Sequence, residues 1–99
     1  MRLTSHEIEA IRECAVAHFG EGTVVRLFGS RTNDALRGGD IDLHIVAPDE
    51  ETCSPSAEWR FKDALYDRIG EQRIDTIVQP RGFRPRPIDY IAMNEGIVL

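Results

Sequence analysis

Two short motifs in this chain combine residue types that suit metal and phosphate chemistry. Gly29-Ser30 follows the apolar run Val24–Phe28, and Asp40-Ile41-Asp42 opens a second apolar run that ends at Val46. A carboxylate is costly to bury without a partner, so acidic residues inside apolar runs need an explanation. A divalent cation bound by the carboxylate oxygens is the simplest one, and a glycine followed by a serine suits a bound phosphate.

A third acidic residue, Asp75, lies at the centre of the apolar run 73–78. Residues i and i+2 of a strand point to the same face, so Asp40 and Asp42 present two carboxylates side by side while Ile41 points to the other face. Asp75 completes the set if its strand lies next to theirs. Three oxygen ligands of this kind suit Mg²⁺ or Mn²⁺, and we predict Asp40, Asp42 and Asp75 as catalytic and metal-binding residues.

The loop after the first strand provides the predicted phosphate site. Gly29 lets a phosphate approach the backbone, Ser30 adds a hydroxyl donor, and Arg31 supplies a cation. Alone, each motif has an ordinary alternative: Asp-Ile-Asp fits a solvent-facing edge strand, and the arginines of this loop can pair with Asp34 or with solvent. The specificity lies in the order and placement of the motifs together.

The elements that must position these residues can be predicted from periodicity and capping signals. Thr4 and Glu7 form a capping box for a first helix, and Ser56 is the predicted cap of the second. The link between the first two strands is too short for a helical crossover, so we expect them to be antiparallel. The result is an α/β fold in the order α-β-β-α-β-α, with a small mixed sheet and flanking helices. The predicted helices are 5–19, 57–69 and 88–94, and the predicted strands are 24–28, 41–46 and 73–78.

Size and charge limit the functional classes. The 99 residues suit one domain, 1–99, and the net charge of −5 argues against general nucleic-acid binding. There is no apolar run long enough to cross a membrane and no signal-peptide pattern at the N-terminus. Cys14 and Cys53 form no close pair, which favours two free thiols. We therefore expect a cytoplasmic protein without membrane contact.

Several further residues have two alternative roles each. His44 continues the face of Asp42, where it either contacts a metal-bound water or, as we expect, forms a hydrogen bond behind the site. Trp59 and Tyr66 are expected in the core or an interface rather than stacked on a base. Three arginines between the third strand and the last helix are expected in a solvated loop, with phosphate or RNA binding as the alternative: Arg81, Arg84 and Arg86.

The motifs described above resemble those of a known superfamily. Phe28-Gly29-Ser30, the gap of nine residues and Asp40-Ile41-Asp42-Leu43 resemble the signature of the nucleotidyltransferase superfamily related to DNA polymerase beta. Asp75 is similar to that family's third carboxylate. The small size and the single helix before the motif resemble its minimal branch (MNT), over residues 5–99.

The resemblance implies an activity and roles for the site residues. The enzyme would transfer a nucleoside monophosphate from a nucleoside triphosphate, with ATP preferred, to a hydroxyl and release pyrophosphate. Asp40 and Asp42 would hold both metal ions, and Asp75 would bind the second ion and take the proton of the hydroxyl. Gly29 and Ser30 would hold the β- and γ-phosphates.

The resemblance also implies a partner. The minimal branch includes antitoxins of HEPN/MNT toxin–antitoxin pairs, whose partner is a small helical HEPN-type (higher eukaryote and prokaryote nucleotide-binding) ribonuclease, silenced by adenylylation of a tyrosine. Two alternatives stay open: a binding subunit that neutralises such a partner by contact, and the catalytic subunit of an antibiotic-modifying transferase. The apolar C-terminal end and the second helix are candidate surfaces for a homo-oligomer.

Overall fold

The structure, a computed structural model, describes residues 3–29 and 40–99. The three predicted helices and three predicted strands are confirmed in the predicted order, with small shifts at their ends. A fourth strand at the C-terminus was not predicted. The elements are α1 (Ser5–Phe19), β1 (Val24–Phe28), β2 (Ile41–Ala47), α2 (Pro55–Ile69), β3 (Ile74–Pro80), α3 (Pro87–Glu95) and β4 (Ile97–Val98).

Local capping signals explain where the first two helices begin. The Thr4 side chain accepts from the backbone N–H of Glu7, whose carboxylate accepts from the N–H of Thr4, as the capping box predicts. The predicted cap of α2 was wrong: Ser54, not Ser56, accepts from the N–H of Ala57. Pro55 then occupies the first helical position, where its fixed φ and missing N–H cost nothing.

The four strands form one mixed sheet in the order β3-β2-β1-β4. The pair β1 and β2 is antiparallel, as predicted, whereas β2 and β3 run parallel and β4 adds to the other side of β1 in antiparallel orientation. The predicted class, a small α/β domain with a mixed sheet and flanking helices, is confirmed. Its assignment to the nucleotidyltransferase fold stays a prediction.

The two faces of the sheet differ in chemistry. One face carries Ile41, Leu43 and Ile45 of β2, which are fully buried in a single apolar cluster with side chains of α1 and α2. The rings of Phe19 and Phe61 meet in that cluster with centroids 5.4 Å apart. The other face carries the alternate residues of β2, and α3 packs over part of it. The apolar face therefore anchors the strands that hold the acidic residues.

Within the described part of the chain, no helix combines the length and the apolar composition that a transmembrane helix requires.

Candidate functional site

Asp42 and Asp75 lie opposite each other on neighbouring strands. They are register partners in the parallel pair of β2 and β3, so their side chains share one face of the sheet. Asp40 precedes β2 by one residue and lies close enough to act on Asp42 electrostatically. Burial raises the pKa of Asp42, and the negative charges of Asp75 and Asp40 raise it further. The structure thus brings the three predicted carboxylates into one neighbourhood.

Arg73 is the cation of this neighbourhood. Its Nε lies 3.4 Å from Oδ2 of Asp40 and 3.9 Å from Oδ2 of Asp75. The Arg73 side chain is 76% exposed, and those of Asp40 and Asp75 are 41% and 55% exposed. Solvent screens ion pairs at such exposure, so this arrangement contributes little stability. Arg73 offsets part of the acidic charge and lowers the pKa of Asp42 in opposition to the other influences.

The fit of a divalent cation can be tested on these side chains. Over residues 3–29 and 40–99, no three His, Cys, Asp or Glu side chains converge closely enough to form a ready-made metal site. The donors are nevertheless hard carboxylate oxygens, and those of Asp42 and Asp75 lie opposite each other on adjacent strands. The chemistry and placement of the carboxylates suit Mg²⁺, provided that Arg73 gives up its contacts with them.

Gly29 lies directly against the Asp42 carboxylate. Its φ of +78° belongs to the left-handed region, and a Cβ at this position would clash with Oδ2 of Asp42. Register places Phe28 opposite Asp42, so the end of β1 lies beside the acidic cluster. The other two predicted phosphate-binding residues, Ser30 and Arg31, lie outside the described residues.

We predict that Gly29→Ala lowers both stability and activity. The left-handed φ costs about 1–2 kcal/mol for a residue with a Cβ, and the clash displaces the Asp42 carboxylate. Thermal unfolding and nucleotidyl transfer measure the two effects separately.

Gly70→Ala is the matched control for that substitution. Gly70 has a φ of +85° and no atom within 4 Å of its Cβ position, so it carries the backbone penalty without the clash. Equal losses of activity in both variants would show that Gly29 has no specific role at the site.

His44 forms a buried polar contact next to Asp42. Its side chain is fully buried, and its Nε2 lies 2.9 Å from Oδ1 of Asp89, which is also fully buried. The predicted hydrogen bond of His44 is confirmed, although its partner was not foreseen. Nδ1 of His44 has no hydrogen-bond partner in the described part of the protein, and the ring faces Phe83 with centroids 5.9 Å apart.

Asp89 accepts hydrogen bonds from several residues in addition to His44. Besides His44, the backbone N–H of Arg86 donates to its Oδ2 at 2.8 Å, the Arg86 side chain at 3.2 Å, and Gln79 at 3.3 Å. Burial by itself would raise the pKa of Asp89, but these donors outweigh it and lower the pKa to about 2. The carboxylate is therefore ionised and can only accept, so Nε2 of His44 carries the hydrogen.

Asp89 makes the stability of the protein sensitive to acid. Because its pKa in the folded state lies below the ordinary value near 4, it stabilises the fold above about pH 4, and this contribution is lost as the pH falls towards 2. The shift corresponds to about 2–3 kcal/mol. Urea unfolding between pH 6 and 2 should show this loss, and Asp89→Asn should flatten the curve. An unchanged slope in the variant would contradict the assignment.

Two residues of the site were missed by sequence reasoning. Arg73 has the same strand parity as Asp75, which could have suggested the contact. Asp89 could have been recognised as the acidic residue of the first turn of α3, but its contact with His44 spans 45 positions. Arg86 lies in an exposed loop, as expected, with its side chain 58% exposed, and it also donates to Asp89.

Comparisons with protein-family models and with curated proteins gave no match.

Proposed function

We propose that this chain is a metal-dependent nucleotidyltransferase that transfers AMP from ATP to a hydroxyl of a partner protein. The observation that carries the proposal is the surroundings of Asp42: Asp75 lies opposite it in register, Asp40 acts on its charge, and Gly29 contacts its carboxylate. Acidic ligands beside a glycine turn fit a triphosphate whose charge is neutralised by a cation.

Each described residue has a role in this proposal. Asp40 and Asp42 would hold Mg²⁺, with Asp75 as a further ligand of the second ion. Bound Mg²⁺ supplies charge neutralisation for the leaving pyrophosphate and lowers the pKa of the attacking hydroxyl. Asp75, half exposed on the outermost strand, can accept the proton of that hydroxyl. The missing Cβ of Gly29 lets the Asp42 carboxylate lie against the backbone, and a glycine would let a phosphate approach the backbone in the same way.

Arg73 would change partners when the nucleotide binds. Its guanidinium lies near the carboxylates of both Asp40 and Asp75. Its exposed position allows it to turn towards phosphate oxygens, which match the fork of donors on a guanidinium as well as a carboxylate does. The carboxylates are then free for the cations.

The partner part of the proposal depends on the resemblance to minimal nucleotidyltransferases. In that family's antitoxin branch the acceptor is a HEPN-type helical protein.

A second candidate is a binding subunit that neutralises its partner by contact alone. The observation that favours it is the same Arg73, which lies near two of the three carboxylates in place of a ready-made metal site among the described residues. If Arg73 never leaves, the carboxylates form a surface ion-pair cluster and not a catalytic centre.

One experiment separates the two candidates. The protein is incubated with Mg²⁺, ATP labelled on its α-phosphate and the product of the neighbouring gene, and label on that product is measured together with pyrophosphate release. Label that depends on Mg²⁺ supports the enzyme. Inhibition of the partner without label supports the binding subunit. A rise in Tm with Mg²⁺ and ATP would show independently that the site binds the nucleotide.

A further inference from the structure

The outer face of α2 carries a row of cavities that ends at Asp75. Three neighbouring cavities, of about 390, 240 and 450 Å³, share lining residues and follow the helix from Pro55 to the turn after it. Trp59 and Lys62 line the first two, and Asp63 and Tyr66 line the second and third. We call this surface the α2 groove. A larger cavity, of about 770 Å³, is lined by α1 alone and contains no predicted site residue.

Trp59 makes the α2 groove unusual. It was expected in the core or an interface, and its exposure of 68% contradicts the core and leaves the interface untested. An indole of this exposure offers a large apolar surface with a donor at one edge, the type of side chain enriched at binding surfaces. It lies at the end of the groove next to Asp75.

The charge of the α2 groove indicates what it binds. Five acidic side chains line it against one lysine: Glu58, Asp63, Asp67, Glu71 and Asp75 against Lys62. Asp63 and Asp67 stand four residues apart on the helix, where like charges are unfavourable. No ion pair to either is found within the described ranges. A cationic ligand would remove this repulsion, whereas a second copy of a chain of net charge −5 would add to it.

The position of the α2 groove relative to Gly29, Asp42 and Asp75 indicates a role for it. Gly29 lies at the end of β1, Asp42 on β2 and Asp75 on β3, in that spatial order across the sheet. In a phosphoryl transfer the attacking and leaving oxygens stand in line on opposite sides of the phosphorus. If the triphosphate lies on the Gly29 side, the attacking hydroxyl approaches from the β3 side, where Asp75 and Thr76 line the first cavity of the groove.

We propose that the α2 groove binds the acceptor as an extended, basic polypeptide segment of a partner, whose hydroxyl-bearing residue reaches Asp75 beside Trp59. This inference rests on the proposed function for the role of the hydroxyl. The 15 residues of α2 extend over about 22 Å, which matches six or seven residues of extended chain and exceeds a small molecule.

The test uses Trp59 as its reporter, because it is the single tryptophan of the chain. Its fluorescence is titrated with an octapeptide of alternating arginine and serine, with an octapeptide of alternating glutamate and serine, and with arginine amide. We expect saturable binding of the basic octapeptide only. Asp63→Asn combined with Asp67→Asn should raise its Kd about tenfold. The control, Glu9→Gln with Glu21→Gln, removes the same charge from exposed positions away from the groove and should leave Kd unchanged.

Other outcomes overturn the inference. Equal weakening in both double variants would indicate general charge attraction, equal binding of arginine amide a small-molecule site, and dimers in sedimentation a second copy as occupant. Failure of the proposed function gives a different result: the octapeptide binds in the groove, yet Mg²⁺ and ATP neither shift Tm nor label its serines. In that case the groove is a docking surface and not an acceptor site.

Discussion

Replacing Asp42 with asparagine is expected to abolish nucleotidyl transfer while leaving the fold intact. Asp42 lies between Asp40 and Asp75, so its loss removes the central ligand of the proposed cation site. We expect activity to fall by roughly 10³-fold, the size associated with losing one electrostatic contact to the transition state. The measurement is release of labelled pyrophosphate at saturating Mg²⁺ and ATP.

Although Asp42→Asn should lower the activity, it is expected to leave the stability of the fold unchanged or to raise it. The pKa of Asp42 is raised by burial and by its two acidic neighbours, so the ionised carboxylate opposes folding at neutral pH. Metal-free Asp42→Asn should therefore unfold at an equal or higher Tm than the natural protein. Glu51→Gln, on the exposed turn after β2, is the control with the same change of charge. Full activity in Asp42→Asn would refute the proposed mechanism.

The elements of this fold were predictable where their signals are local. The capping box of Thr4 and Glu7 and the period of two in β2 each involve residues within a few positions of one another. The cap of α2 was misplaced because two serines precede the helix, and Pro55 decides between them. β4 was missed because two apolar residues after a glycine become a strand only when β1 offers its edge.

The part of the site that could be predicted from the sequence is the part set by the alternation of side chains along one strand. Alternation places Asp40 and Asp42 on one face, but Asp75 joins them only because β3 pairs with β2 in parallel register. Trp59 shows the same limit. Two residues before Phe61, it points about 200° around the helix from the apolar stripe, which places it outside. Helical spacing could thus have excluded Trp59 from the core, but it could not have shown the cavities and acidic residues around it.

The buried contact between His44 and Asp89 depends on tertiary packing, and its removal is expected to have the largest effect on stability. Asp89→Ala leaves the fully buried Nε2–H of His44 and the partly buried N–H of Arg86 without their acceptor. Each buried donor without a partner costs about 1–3 kcal/mol, so we expect a total loss of about 3–5 kcal/mol. For a domain of this size that lowers Tm by roughly 12 °C or more.

A double-mutant cycle shows whether this loss comes from the pair. His44→Ala, Asp89→Ala and their combination are compared by urea unfolding at pH 7, with Asp63→Ala as the exposed control, expected to stay within about 0.5 kcal/mol of the natural protein. Because each single variant leaves a polar group unpaired and the double variant leaves fewer, the combined loss should be smaller than the sum. Additive losses would show that His44 and Asp89 act independently. In that case apolar contacts, and not this polar pair, hold α3 over the sheet face that carries Asp42.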